Sequence, residues 1–184
     1  MAEMTFVIIK PDSIARGLSG ELITRFEKKG LKLVGVKMIK PKRKQLEDLY
    51  SHLAGRPFLD AYFKFMKRTP VIMLVLEGMN AVDIVRRMCG VTNGREAEPS
   101  TIRGTYSVSG RMNLIHAADS PTNAEREMRI FFKPREIYDY KMPLTPILYS
   151  IEELEALNAE RKEGISGKPR KMPGKEDEPG GLSD

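Results

Sequence analysis

Four stretches of the chain carry the apolar patterns of strands, and helical patterns separate them. Met4 to Lys10 (MTFVIIK) is a β-branched run that reads as a buried strand stopped by Pro11. Leu31 to Lys40 (LKLVGVKMIK) alternates apolar with basic residues, as a half-buried strand does. Pro70 to Glu77 (PVIMLVLE) is the most apolar run and predicts a central strand. Asn113 to Ala117 should be the last core strand.

Between them, Leu22, Ile23 and Phe26 share one face of a helix over Gly20 to Lys29, with Gly30 as its C-terminal cap. Two shorter helices are expected at Lys44 to Ala54 and Phe58 to Arg68, divided by Gly55-Arg56-Pro57. Asn80 is placed to cap a helix from Ala81 to Cys89 that Gly90 ends. From Gly90 to Met112 the only signal is a weak extended one around Thr105 to Ser109, and a connection of that length is often functional. Ser120-Pro121 reads as the cap and first turn of a helix to Phe132.

This order contains the β-α-β-β-α-β scheme of a ferredoxin-like α+β sandwich, with an antiparallel four-stranded sheet and added helices. Periodicity alone also admits a small doubly wound α/β domain. One domain is expected over residues 1–149. A capping box at Ser150 and Glu153 should open a helical extension over 150–163, its helix running from Ile151 to about Arg161. Residues 164–184 hold five glycines and three prolines with few apolar groups, and read as a disordered tail.

Composition narrows the picture. Cys89 is the only cysteine among 184 residues, so no disulfide framework is possible and a reducing compartment suits the chain. No apolar stretch approaches the ~18 residues of a membrane span, and no signal-peptide core is visible, so a cytoplasmic protein is expected. The net charge of +6 conceals an asymmetry. Residues 1–149 carry 25 Lys and Arg against 16 Asp and Glu, while the remainder carries 6 against 9. A basic body favours an anionic partner, whether nucleic acid, nucleotide phosphate or lipid.

Zinc patterns, a Walker-type loop and a Gly-x-Ser-x-Gly elbow are all absent from the sequence. What remains is a set of cations near element ends: Lys10, Arg56, Arg86 and Arg103. Such groups could converge on a triphosphate, since Arg donates in a fork and Lys supplies a point charge. His116 falls near the end of the last strand, and a neutral imidazole is a competent nucleophile. It needs a carboxylate on its other ring nitrogen, for which Asp119 and Glu127 are the candidates. His52, expected mid-helix, reads as a surface or packing residue.

Together these residues resemble the nucleoside diphosphate kinase family from Thr5 to about Tyr140. The resemblance rests on ordered blocks: TFVIIKPDSIARGLSGELITRFEKKGLKLVGVKM, RPFLD, VLEGMNAV, TNGREAEPSTIRG, NLIHAADS and AEREMRIFF. It implies the ferredoxin-like fold and a two-step exchange that balances nucleotide pools. In that exchange a histidine takes the γ-phosphate of a nucleoside triphosphate and gives it to a nucleoside diphosphate. By resemblance His116 is the phosphorylated nucleophile and Glu127 orients it. Lys10 and Asn113 match ribose contacts, with Lys10 also near the transferring phosphate. Arg86, Thr92 and Arg103 match phosphate contacts, Phe58 the face on which the base rests, and Tyr50 a neighbour of the histidine. Magnesium (Mg2+) is implied as a cofactor held by the nucleotide phosphates, with Asp119 at most reaching it through water. A homo-hexamer is implied in preference to a tetramer.

Three departures stand out. Ala118 occupies a position where the family usually has serine, and the loss of that hydroxyl predicts a slower enzyme. Thr105 stands for a usual aspartate. Gly94 stands where many members have proline, which suggests a looser loop. Two rivals have less support: a kinase-like scaffold without catalysis, hinted at by Ala118 alone, and a ferredoxin-like nucleic-acid-binding module. The strands lack the paired aromatics that such a module stacks on bases.

Overall fold

The computed structural model describes residues 2–162. The disordered tail expected at 164–184 lies outside the described residues. Strand β1 (Ala2–Ile9) ends where Pro11 can no longer donate to a ladder. Pro11 does more than stop the strand: its fixed φ opens a short helix, α1 (Pro11–Ala15), that the apolar pattern did not predict. Helix α2 (Ser19–Lys28) closes on Gly30 at φ 91°, with the Leu31 N–H returning to Phe26 O at 3.1 Å.

After β2 (Lys32–Ile39), the helix expected over Lys44 to Ala54 divides. It becomes α3 (Arg43–Leu49) and a 3-10 turn over Ser51–Leu53, tightened ahead of Gly55, whose φ of 81° turns the chain. His52 therefore sits in that turn rather than mid-helix. Helix α4 (Leu59–Met66) and β3 (Val71–Met79) follow.

Helix α5 (Ala81–Cys89) ends on Gly90 as expected, but its start differs. Asn80 has φ 50° and its side chain makes no cap bond. Glu3 supplies the cap instead, its Oε1 accepting the Val82 N–H at 2.9 Å. The extended signal at Thr105 to Ser109 gives way to helix α6 (Ile102–Tyr106). One buried apolar residue, Ile102, and the Thr101 cap at 3.1 Å from the Gly104 N–H hold it, too little to leave a period in the sequence. Strand β4 (Ile115–Ala117) is only three residues long. Helix α7 (Pro121–Phe131) starts at Ser120, whose hydroxyl accepts the Asn123 N–H at 3.2 Å.

The described residues end with α8 (Thr145–Leu148) and α9 (Ile151–Lys162). Reciprocal Ser150 and Glu153 bonds of 2.8 and 3.3 Å cap α9. Before them, the segment after α7 runs along β2: the Tyr138 N–H donates to Val34 O and the Tyr140 hydroxyl to Leu33 O. Lys32 is buried beside Asp139 at 3.1 Å and Glu77 at 3.8 Å.

The sheet order is β2-β3-β1-β4 and every pairing is antiparallel, which is the ferredoxin-like arrangement and excludes the doubly wound alternative. Alternation along β1 feeds two cores. Phe6 and Ile8 join residues of α3, α4 and α7, whereas Val7 and Ile9 join those of α2 and α5. No helix among the described residues is long and apolar enough to cross a membrane.

Candidate active site

Register places the histidine. Ile8 faces His116 and Ile9 faces Ile115 across the β1–β4 ladder, so the end of β1 meets the start of β4. Helix α7 packs over the same face and brings Glu127, 4% exposed, to the ring. Glu127 Oε2 lies 2.6 Å from His116 Nε2. A carboxylate at that nitrogen fixes the tautomer with hydrogen on Nε2, leaving the lone pair on Nδ1. Phe6 and Tyr50 meet the imidazole edge-on, with centroids 6.3 and 5.7 Å away. Asp119, the other candidate, is engaged elsewhere: its Oδ1 accepts from Asn123 Nδ2 at 2.6 Å and from Ser120 Oγ at 3.2 Å. The Asn123 amide, more than any other group, holds the Asp119 carboxyl below its usual range.

The backbone between Asn113 and His116 is bent at Leu114. Leu114 is fully buried with φ 72°, and the Ile115 N–H closes on Asn113 O at 2.8 Å, a γ-turn of the strained hand. Its neighbours over-determine it. The Leu114 N–H donates to Asp12 Oδ2 at 2.9 Å, while Leu114 O accepts from the Lys10 N–H and the Ser13 hydroxyl. The turn thereby presents Asn113 to Lys10, with Nζ 2.5 Å from Oδ1. The Asn113 amide in turn donates to Thr92 O at 2.7 Å and Gly110 O at 3.0 Å.

One cleft of about 890 Å³ gathers Lys10, Tyr50, Phe58, Arg86, Thr92, Arg103, Asn113, His116, Asp119 and Glu127. Arg56 does not line it. His52, Tyr62, Arg111 and Arg126 do, although the sequence did not single them out for the site. Arg126 lies 3.4 Å from the second Glu127 oxygen. Arg103 donates to the carbonyls of Gly90, Ile115 and Asn113, tying α6 to β4. Burial lowers its pKa, yet a guanidinium remains a cation and keeps further N–H donors. Tyr50 shares its hydroxyl with Tyr62 at 3.1 Å. Burial, first of all, raises its pKa well above the ordinary value, with Tyr62 and Glu127 adding to it, so the phenol stays neutral.

The two loop departures also acquire a structure. Thr105 Oγ1 lies 2.7 Å from both Pro99 O and Thr101 O. A Cβ on Gly94 would come to 2.5 Å from Ser107, so glycine there permits a close approach that a larger residue would not. Among the described residues no group of three or more His, Cys, Asp and Glu could cage a metal ion. With Glu127 committed to the histidine, a divalent cation fits this cleft only if a substrate brings most of its ligands.

A carboxylate-held imidazole facing lysine and arginine side chains in one cleft is the equipment of a phosphotransferase. The family model described as nucleoside diphosphate kinase matches residues 3–137. The chain belongs to the nucleoside diphosphate kinase family. A nucleoside diphosphate kinase of Staphylothermus marinus is 51% identical over 138 residues, spanning 75% of this chain and 98% of that protein. A halophilic nucleoside diphosphate kinase from Halobacterium salinarum, solved in complex with CDP, aligns with TM-score 0.79 at 37% identity over 82% of this chain and 100% of that one. A Borrelia burgdorferi nucleoside-diphosphate kinase, solved as a transition state mimic with vanadate and ADP, aligns with TM-score 0.73 at 33% identity over 78% and 94%.

Proposed function

We propose that this chain is a nucleoside diphosphate kinase working through phosphorylated His116, and that it balances nucleotide pools. The observation that carries this is the 2.6 Å contact between His116 Nε2 and Glu127, made inside a cation-lined cleft. The Nδ1 lone pair attacks the γ-phosphorus of a nucleoside triphosphate, the bond to the β,γ-bridging oxygen breaks, and the diphosphate leaves with that electron pair. A second diphosphate then attacks the phosphohistidine in reverse. Glu127 stabilises the imidazolium character that develops on the ring. Lys10, Arg86, Thr92 and Arg103 receive the phosphates, Asn113 and Lys10 the ribose, and Phe58 the base. Tyr50 packs beside the nucleophile as a neutral phenol. Catalysis of this kind rests on positioning and charge neutralisation.

Mg2+ carried on the phosphates would offset their charge, and Asp119, which lines the cleft, would reach it at most through water. We read the protein as a homo-hexamer, as the family resemblance implies. We assign residues 1–149 to the catalytic domain, 150–163 to a helical extension, and the protein to the cytoplasm.

The test is direct. With γ-labelled ATP and magnesium the protein should form an acid-labile, base-stable phosphoenzyme that a nucleoside diphosphate discharges. Absence of label, or label persisting in His116→Ala, would overturn the reading.

A further inference from the structure

The cleft mouth carries a contact that phosphoryl transfer does not require. The Arg111 guanidinium carbon lies 4.6 Å from the centroid of the Phe58 ring, and both residues line the cleft. Side-chain partners hold the loop backbone around Arg111. Its N–H donates to Ser109 Oγ at 3.3 Å, as does the Met112 N–H at 3.2 Å, and the preceding Gly110 carbonyl accepts from Asn113 at 3.0 Å. The side chain itself is exposed, and no carboxylate among the described residues forms an ion pair with it. A rigid backbone therefore presents a movable planar cation directly over a planar apolar surface.

At this spacing nothing planar fits between the two groups. A base that takes the Phe58 face must lift the guanidinium away, and the anchored backbone keeps that group within reach of the outer face of the base. The exchange is favourable because an exposed cation–π contact is weak, whereas a base stacked on an aromatic ring is held more strongly and its own π-face then attracts the cation.

We infer that Arg111 is the second wall of a base slot, in which the nucleobase lies between the Phe58 ring and the Arg111 guanidinium. This rests on the nucleotide reading above and deepens it. A guanidinium lying flat on a base points its N–H groups outward in its own plane, so the slot senses ring area more than edge pattern. Purines, with two fused rings, overlap both walls further than pyrimidines. The slot thus adds a purine preference to a platform that by itself accepts any base.

Binding of ADP, CDP and inorganic tripolyphosphate to wild type, Arg111→Ala and Arg111→Lys, measured by calorimetry, tests this. Arg111→Ala should weaken ADP about tenfold and CDP about threefold, with tripolyphosphate unchanged. Arg111→Lys keeps the charge without the plane, and should lose ADP affinity as Arg111→Ala does. Equal losses for ADP and tripolyphosphate would make Arg111 a phosphate ligand and overturn the slot. Unchanged or tighter ADP binding in Arg111→Ala, or full rescue by lysine, would overturn it as well. A wild-type protein that binds ADP while Arg111→Ala matches it sinks the slot alone. A wild-type protein that neither binds ADP nor forms the phosphoenzyme sinks the functional reading and the slot with it.

Discussion

Glu127 Oε2 sits 2.6 Å from His116 Nε2, with the carboxylate buried beneath α7 and the ring open to the cleft. Removing that acceptor by Glu127→Ala should slow phosphoenzyme formation by about ten- to a hundredfold, as expected for a charge-assisted bond of ~1.5–3 kcal/mol felt in the transition state. Glu127→Gln, which keeps an acceptor without the charge, should fall between. Rapid-quench measurement of labelled His116 decides this; wild-type rates in both variants would remove Glu127 from the mechanism.

Ala118 lies two residues beyond His116, 1% exposed, among Tyr50, Ala124 and Met128. In the family pattern the usual serine at this position carries a hydroxyl that hydrogen-bonds near the glutamate corresponding to Glu127. Ala118→Ser should raise turnover by up to about tenfold, the worth of one neutral hydrogen bond of ~0.5–1.5 kcal/mol. Steady-state turnover that is unchanged or lower would show that the second Glu127 oxygen, near Arg126 at 3.4 Å, needs no further donor.

Asp12 holds the strained turn at Leu114 through a 2.9 Å bond. Asp12→Ala should cost ~1.5–3 kcal/mol of stability and raise the KM for nucleotide, because Asn113 loses its aim. Asp12→Asn retains an acceptor and should recover most of both. Denaturant midpoints and KM values read together test the pair: an Asp12→Ala protein with wild-type KM would leave the aspartate a purely structural role.

Cys89 is 1% exposed, and burial pushes its thiol up from 9.0 to about 11. The folded protein therefore keeps the proton where the unfolded chain gives it up, so stability should fall as pH rises from 9 towards 11. The loss should be on the order of 2–3 kcal/mol, and Cys89→Ala should lack that component. Denaturation of both proteins at pH 8 and pH 11 isolates it. The native thiol should also resist alkylation at pH 8, reacting once denatured.

The strands were legible because β1 and β3 lie between two helical layers, and burial on both faces writes continuous apolar runs. The cap of α5 was not legible. Asn80 has the right local chemistry, but the acceptor comes from Glu3, 79 residues from the Val82 N–H that it caps, delivered by the pairing of Glu3 with Gly78. Helix α6 is too short for a period to appear. At the site, spacing alone left Asp119 and Glu127 equal as partners of the histidine. Only the family resemblance favoured Glu127, and the packing of α7 on the sheet supplies the physical reason. Arg111 gave no signal, since its meaning depends on Phe58, more than fifty residues earlier in the chain.

The pairing of Lys32 with Asp139 has a bearing on where this polypeptide can be cut. The family match ends at residue 137, two positions before that aspartate. A chain truncated there would keep every side chain of the cleft and still lose the clasp. Lys32 would face Glu77 at 3.8 Å without its nearer carboxylate, and the Leu33 and Val34 carbonyls would be bared along the margin of the sheet. Such a margin invites pairing with a foreign strand. Residues 138 to 140, just past the matched region, thus seal the outer margin of β2.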